Sequence, residues 1–307
     1  MAFRFDPESS ARREVRRVVA ERLGAAIALL EALDGASPEA RAGDDAPDVV
    51  TVVHDVRKRC KEVRGLAQLV RPRLGRDFAI FNGLVRDAAA ELAGFRDAHA
   101  GLATFEHLLA GVPGPPDDVL LRVRDVLARA ADEATRAARA SDPRLERAGV
   151  RLVEARELAV RWKVPKGFAA VDAGLRDTYG RGRKRRRDVV DASTDEALHE
   201  WRKAVKQLWY QARLLEPAAP SAMAPLVDRL DDLSEALGDD HDLAVLVERL
   251  TADPEAFGGV ASVEDVRQLA RRGLDGCIIG RALYEGRIRL VDALEAAQTG
   301  APRETPR

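Results

Sequence analysis

Along most of this chain, apolar residues recur every three or four positions, and short runs rich in Gly, Pro and Asp interrupt them. That spacing gathers the apolar side chains on one side of an α-helix. Strand-type alternation is weak throughout. The pattern predicts a helix from Pro7–Glu8 to about Leu33, a loop from Asp34 to Asp48, and a helix from about Val49 to Arg71 that stops at Pro72. It then predicts helices over roughly Asp77–Leu109 and Asp118–Ala140. After Ser141-Asp142-Pro143 the order repeats, with helices over about Leu145–Thr178, Thr194–Leu215, Ala222–Leu250 and Ser262–Ala297.

Two of these segments carry unusual charge. HDVRKRCKEVR, His54 to Arg64, has five Lys or Arg in eleven residues. On a helix turning about 100° per residue, Arg57, Lys58, Lys61 and Arg64 fall within about 80° of His54. Val53, Val56, Cys60, Val63, Ala67 and Val70 form a separate stripe on the order of 130° away. In HEWRKAVKQLW, His199 to Trp209, His199, Arg202, Lys203 and Lys206 share one face, and Leu198, Trp201, Val205 and Leu208 share another. A solvated helix face usually mixes signs at i,i+4, whereas like charges at that spacing cost stability. A bound anion compensates: Arg offers two-point hydrogen bonds to phosphate oxygens, Lys a mobile point charge, and His a donor that gains charge as pH falls.

The two stretches align without a gap when the chain is slid by 145 positions. His54 falls on His199, Arg57 on Arg202, Lys58 on Lys203 and Lys61 on Lys206. The match continues through Ala67/Ala212, Leu69/Leu214, Pro72/Pro217, Asp87/Asp232, Leu92/Leu237 and Asp97/Asp242. Upstream it takes in Val15/Val160, Arg16/Arg161 and Leu30/Leu175, and downstream Arg122/Arg267 and Arg136/Arg281. A shared His-x-x-Arg-Lys-x-x-Lys at constant offset points to an internal duplication. The repeat is too long for a solenoid unit.

Composition narrows the function. Of 307 residues, 46% are apolar, enough for a core, and 5% are aromatic. The 50 Lys and Arg are offset by 51 Asp and Glu, for a net charge of −1. A protein that coats nucleic acid through bulk charge is usually strongly basic, so an anion site here has to arise from sorting charges in space. Cys60 and Cys277 lie far apart among apolar residues, without metal-ligand spacing, and read as buried free thiols in a reducing compartment. The N-terminus lacks a signal-peptide core, and no apolar run reaches membrane-span length. A cytoplasmic location and no membrane association are expected.

At HDVRKRCKEVR and HEWRKAVKQLWY, with FRDAH (Phe95–His99), LGDDHD (Leu237–Asp242) and TYGRGRKR (Thr178–Arg185), the chain resembles the CHAD domain, the conserved-histidine α-helical domain. The resemblance runs from about Phe3 to the last helix. It implies an all-α fold of two four-helix-bundle halves, residues 1–141 and 142–300, related by a pseudo-twofold axis, with 301–307 a disordered tail. It also implies a basic groove between the halves that binds inorganic polyphosphate. Residue by residue, it implies His54, Arg57, Lys58, Lys61, Arg64, His199, Arg202, Lys203 and Lys206 as ligands, with Arg16 and Arg161 from the first helix of each half and Arg183 from a basic loop. Trp209 stands where Arg64 stands in the first copy, so the site need not be symmetric. The chain looks like the stand-alone form of the family.

Asp87, Asp97, Asp232 and Asp242 are read as partners orienting Arg or Lys on a neighbouring helix rather than as metal ligands. His99 and His107 have no copies in the other half and read as ordinary helix positions. Trp162, Trp201 and Trp209 read as core or groove wall. Gly-rich phosphate loops, nucleophile elbows and Cys/His pairs are not apparent. The expectation is therefore a non-enzymatic polyphosphate-binding protein, associated with polyphosphate granules, without metal or cofactor and without a specific nucleic-acid partner. A nucleic-acid-binding protein and a metal-dependent phosphohydrolase are the alternatives. Oligomeric state is left open.

Overall fold

The computed structural model describes residues 3–34, 48–111, 118–139 and 143–252. The expected helix over 262–297, Cys277 and the expected tail lie outside the described residues. Those residues form helices joined by turns, with no strand among them. In chain order the helices are α1 (Ala11–Asp34), α2 (Val49–Leu74), α3 (Arg76–Glu91), α4 (Ala93–Ala110), α5 (Asp118–Arg139), α6 (Pro143–Val160), α7 (Asp172–Asp191), α8 (Asp195–Leu215) and α9 (Pro220–Ala252).

The largest core lies among α1, α2, α3 and α6, filled by Val15, Leu23, Val63, Leu66, Phe81 and Leu152. Trp162 is fully buried there, edge-on to Phe81 at 4.7 Å between ring centroids. A second cluster of Val205, Leu208, Ala212, Leu230 and Leu237 joins α8 to α9. A third, of Phe105, Leu120, Val123, Leu127 and Leu246, ties α4 and α5 to the end of α9. Although α6 follows the expected midpoint at 141, it packs on α1 and α3, so that midpoint is not a packing boundary.

The two basic helices form as their sequences predict. Asp48 caps α2 by accepting from the backbone N–H groups of Val50 and Thr51, each at 3.1 Å. Thr194 caps α8 through Ala197 N–H at 3.1 Å, with Asp195 and Glu196 in the first turn where the helix dipole favours negative charge. Four valines in the stripe of α2, Val53, Val56, Val63 and Val70, give it little intrinsic helix preference. Burial of that stripe holds the helix instead.

Three predicted boundaries are corrected. α2 continues through Pro72 to Leu74 and ends at Gly75, whose φ of 56° breaks the helix. Proline removes the hydrogen bond that would reach the Gln68 carbonyl. α7 crosses there so closely that a Cβ on Gly174 would lie 1.8 Å from the Leu69 carbonyl oxygen and 3.0 Å from that of Gln68. The predicted 77–109 helix is divided at Leu92 into α3 and α4. The predicted 145–178 helix is two helices, α6 and α7, separated by a segment holding Pro165 and Gly167, the latter with φ 67°. The basic run Arg181–Arg187, expected in a loop, is therefore helical and lies on α7.

α2 and α8 cross in direct contact. A Cβ on Gly65 would meet Tyr210 Cβ at 2.8 Å. The buried Gln211 amide donates to the Gly65 carbonyl at 3.3 Å and to Thr178 Oγ1 at 3.0 Å. At the N-terminus, Phe5 N–H bonds the Leu214 carbonyl at 3.0 Å, and Phe3 lies edge-on to Tyr210.

Candidate anion-binding site

The crossing of α2 and α8 gathers cations from both helices. Arg57 and Lys61 come from α2, and Arg202 and Lys206 from α8, while Arg64 of α2 lies further along the helix with Arg86 and Asp87 as its charged neighbours. Arg57 Nη1 donates to the Ala89 carbonyl of α3, and Arg64 Nε donates to Asn82 Oδ1 at 2.9 Å. These bonds fix the two guanidiniums along the α3 side of α2. A further cation, Arg96, enters from α4. Its Nη2 lies 3.3 Å from Asp242 Oδ1 of α9, and its Nη1 lies 4.0 Å from Asp97 Oδ1.

Lys61 stands among them. Burial first, then the charges of Arg96, Arg57, Arg202 and Lys206, push its ammonium down to about 8. It nevertheless keeps exposed surface. Burial, then Arg96, also lowers Arg57 below the usual arginine range, with Asp97 opposing. Burial lowers Arg202 too, with Asp242 opposing and Arg96 adding to the shift. Lys206 follows the same rule: burial lowers it, Asp231 opposes, and Arg202 lowers it further. The Nε atoms of Arg57 and Arg202, at equivalent positions of the repeat, are both buried without a hydrogen-bond partner among the described residues. Leaving such donors unmade costs about 1–3 kcal/mol, so stability alone does not account for the arrangement.

Beside this cluster a cavity of about 260 Å³ opens between α4 and α9, lined by Arg57, Arg96, Asp97, Thr104, His241 and Asp242 among others. On its α9 side, the rings of His199 and His241 stack 4.3 Å apart, with their Nδ1 atoms 3.2 Å from each other. Burial, then His199, pushes His241 down to about 4. Burial, then Lys203 and Arg202, lowers His199 as well.

The remaining expected ligands divide. His54, Lys58 and Lys203 are exposed on the basic faces, and Lys203 Nζ reaches Glu200 at 2.5 Å. Arg16 is turned to a structural bond, with Nε and Nη2 donating to the Trp162 carbonyl at 3.2 and 2.6 Å. Arg161 is exposed just after α6. Arg183 is exposed on α7, whereas its neighbours Arg181 and Arg185 are half-buried, the latter 3.5 Å from Glu200. The contacts therefore bring Arg57, Lys61, Arg202 and Lys206 together with Arg96, and bring neither Arg16, Arg161 nor Arg183 to them. In place of a second Arg64, Trp209 receives Lys206 and Arg213 over its ring, at 4.7 and 4.6 Å from the centroid.

A family model for the CHAD domain matches residues 9–251. The chain belongs to the CHAD-domain family. That family is associated with polyphosphate binding. The match ends as α9 ends. A second model, for a histidine biosynthesis protein, matches residues 238–289. In keeping with it, the chain is 54% identical over 54 residues to the 1-(5-phosphoribosyl)-5-((5-phosphoribosylamino)methylideneamino)imidazole-4-carboxamide isomerase of Rhodospirillum rubrum, covering 17% of this chain and 22% of that protein. It is 56% identical over 41 residues to the isomerase of Thermococcus kodakarensis, covering 13% and 18%. The chain thus spans about a fifth of the length of these relatives. Arg267 and Arg281, paired with Arg122 and Arg136 in the repeat, fall within the histidine-biosynthesis match and beyond the CHAD match.

Among the described residues of this CHAD-domain chain, no group of three or more His, Cys, Asp and Glu is placed to hold a metal, and no helix is long and apolar enough to cross a membrane. Of the four aspartates, Asp242 sits beside an arginine of another helix, Arg96 of α4, whereas Asp97 and Asp87 lie 4.0 and 2.8 Å from arginines of their own helices, Arg96 and Arg86. Asp232 is exposed. Arg96 is the site residue that sequence reasoning passed over. Its signal was its place in FRDAH, where the 145-residue offset carries it onto His241.

Proposed function

We propose that this chain binds inorganic polyphosphate, without catalysis, in the concavity where α2, α8 and α4 bring Arg57, Lys61, Arg96, Arg202 and Lys206 together. One observation carries the reading: the strongest charges acting on Lys61 are four other cations. Like charges that act together on one ammonium oppose folding unless a multivalent anion neutralises them. Polyphosphate supplies about one charge per phosphate along a flexible thread. Each charge-assisted hydrogen bond contributes ~1.5–3 kcal/mol, offset by the ordering of both partners.

The duplication and its axis belong to the same proposal. Residues lying on a twofold axis touch their own copies. Gly65 approaches Tyr210, 145 positions on, while Arg96–Asp242 and Arg16–Trp162 join residues 146 apart. The offset carries Lys61 onto Lys206, and each figures among the cations of this cluster. We place the groove on that axis, and association with cytoplasmic polyphosphate granules follows as the cellular role.

The test is a competition titration with long polyphosphate, ATP, single-stranded RNA and DNA, run with phosphate release monitored. Preferential, non-hydrolytic binding of long polyphosphate, lost in Lys61→Ala/Lys206→Ala, is expected. Equal capture of RNA or DNA would favour the nucleic-acid alternative, and phosphate release on adding a divalent metal would favour a phosphohydrolase.

A further inference from the structure

The ion pair between Arg96 and Asp242 occupies the wall of the 260 Å³ cavity, next to Arg57 and the Lys61 cluster. That volume equals roughly nine waters of bulk liquid, room for a phosphate group and its hydration. The two side chains are 29% and 32% exposed, so solutes reach them. A carboxylate and a phosphate present the same pair of oxygens to a guanidinium fork. Half-exposed pairs of this kind are weak, and a phosphate in the cavity would also meet Arg57 and the charge of Lys61. Resting on the polyphosphate reading above, we propose that Arg96 is a phosphate ligand held in reserve by Asp242, and that Asp242 is an internal competitor which incoming phosphate displaces. Asp242 then sets the affinity threshold of the site: an anion has to outbid a carboxylate already seated on Arg96. Asp97, 4.0 Å from the other guanidinium nitrogen, steadies Arg96 while the exchange takes place.

The test is a double-mutant cycle of Asp242→Asn and Arg96→Gln, titrated with tripolyphosphate and with long polyphosphate. Removing the competitor is expected to tighten binding about two- to fivefold, and removing Arg96 to weaken it roughly tenfold or more. The decisive comparison is Asp242→Asn in the Arg96→Gln background, where the gain shrinks to the part that comes from the charge of Asp242 on Arg202, because the seat being contested is gone. The same gain with and without Arg96 would mean that Asp242 acts only as bulk negative charge, and would overturn the proposal. So would no gain at all. Failure of the unaltered protein to bind either chain would instead overturn the polyphosphate reading. Should Asp242→Asn lose its helical circular dichroism, the unaltered protein still decides. The guanidinium nitrogen resonance of Arg96, assigned with Arg96→Lys, shifts on adding tripolyphosphate if Arg96 changes partner and stays fixed if it does not.

Discussion

Binding at this site consumes protons when pH is high, and Lys61 sets the amount. Its pKa of about 8, against an ordinary 10.5, means that at pH 9 roughly one-tenth of the free protein carries the charge. Phosphate laid against Lys61 reverses the repulsion from Arg96, Arg57, Arg202 and Lys206 and returns the proton. Binding at pH 9 should therefore take up close to one proton per site, and at pH 6.5 close to none. Above pH 8 the affinity should fall by up to about tenfold per pH unit, the limit for a single linked proton. Calorimetry at pH 9 in two buffers of different ionisation enthalpy reads the uptake directly. Lys61→Arg, which stays charged, should retain binding and lose most of the buffer dependence. Equal heats in both buffers for the unaltered protein would refute the placement of Lys61 against the bound chain. Without polyphosphate, the same shift acts on folding. The unfolded chain holds the Lys61 proton between about pH 8 and 10.5, so this group makes the free protein more stable as pH rises through that window.

Other outcomes follow from the packing. Gly174→Ala puts a Cβ 1.8 Å from the Leu69 carbonyl oxygen and should destabilise the protein by about 3 kcal/mol or more, read as a lower denaturant midpoint. Trp162→Ala, which empties a fully buried site, should cost about 3–5 kcal/mol by the same assay. The histidine pair acts in acid. His241 lies near 4 in the folded protein against 6.5 ordinarily, so the unfolded chain takes up the proton first, and stability falls as pH drops from about 6.5 towards 4. His241→Gln should flatten that limb of a pH–melting curve.

The basic helices were legible because every local signal agreed. Asp48 and Thr194 cap them, apolar stripes give the 3.6-residue period, and the basic faces recur at one offset. What failed to show depends on contacts between distant segments. Trp162 and Val164 prolong the apolar pattern of α6 past the break that Pro165 and Gly167 impose, so the pattern predicts one helix over 145–178 and a loop over 181–187 where the chain turns and begins α7. Arg16 has the right residue type at the matched offset, yet the Trp162 carbonyl occupies its guanidinium, and nothing local announces that bond. Arg96 lies on a helix without a basic run and acquires its role only where α4 meets α2 and α9. Glu62, in the middle of HDVRKRCKEVR, is buried 3.4 Å from Arg22 of α1. Its one-residue displacement from Lys61, about 100° around the helix, turns it towards α1 and Arg22 instead of towards Arg96.

The most direct measurement is a crystal structure with long-chain polyphosphate bound. The account predicts phosphate oxygens within hydrogen-bond distance of Lys61 Nζ, Lys206 Nζ and the Arg96 guanidinium, with Asp242 released from Arg96. Polyphosphate lying only along the exposed Arg183, Arg186 and Arg187 of α7, with no phosphate oxygen near Lys61, would contradict it.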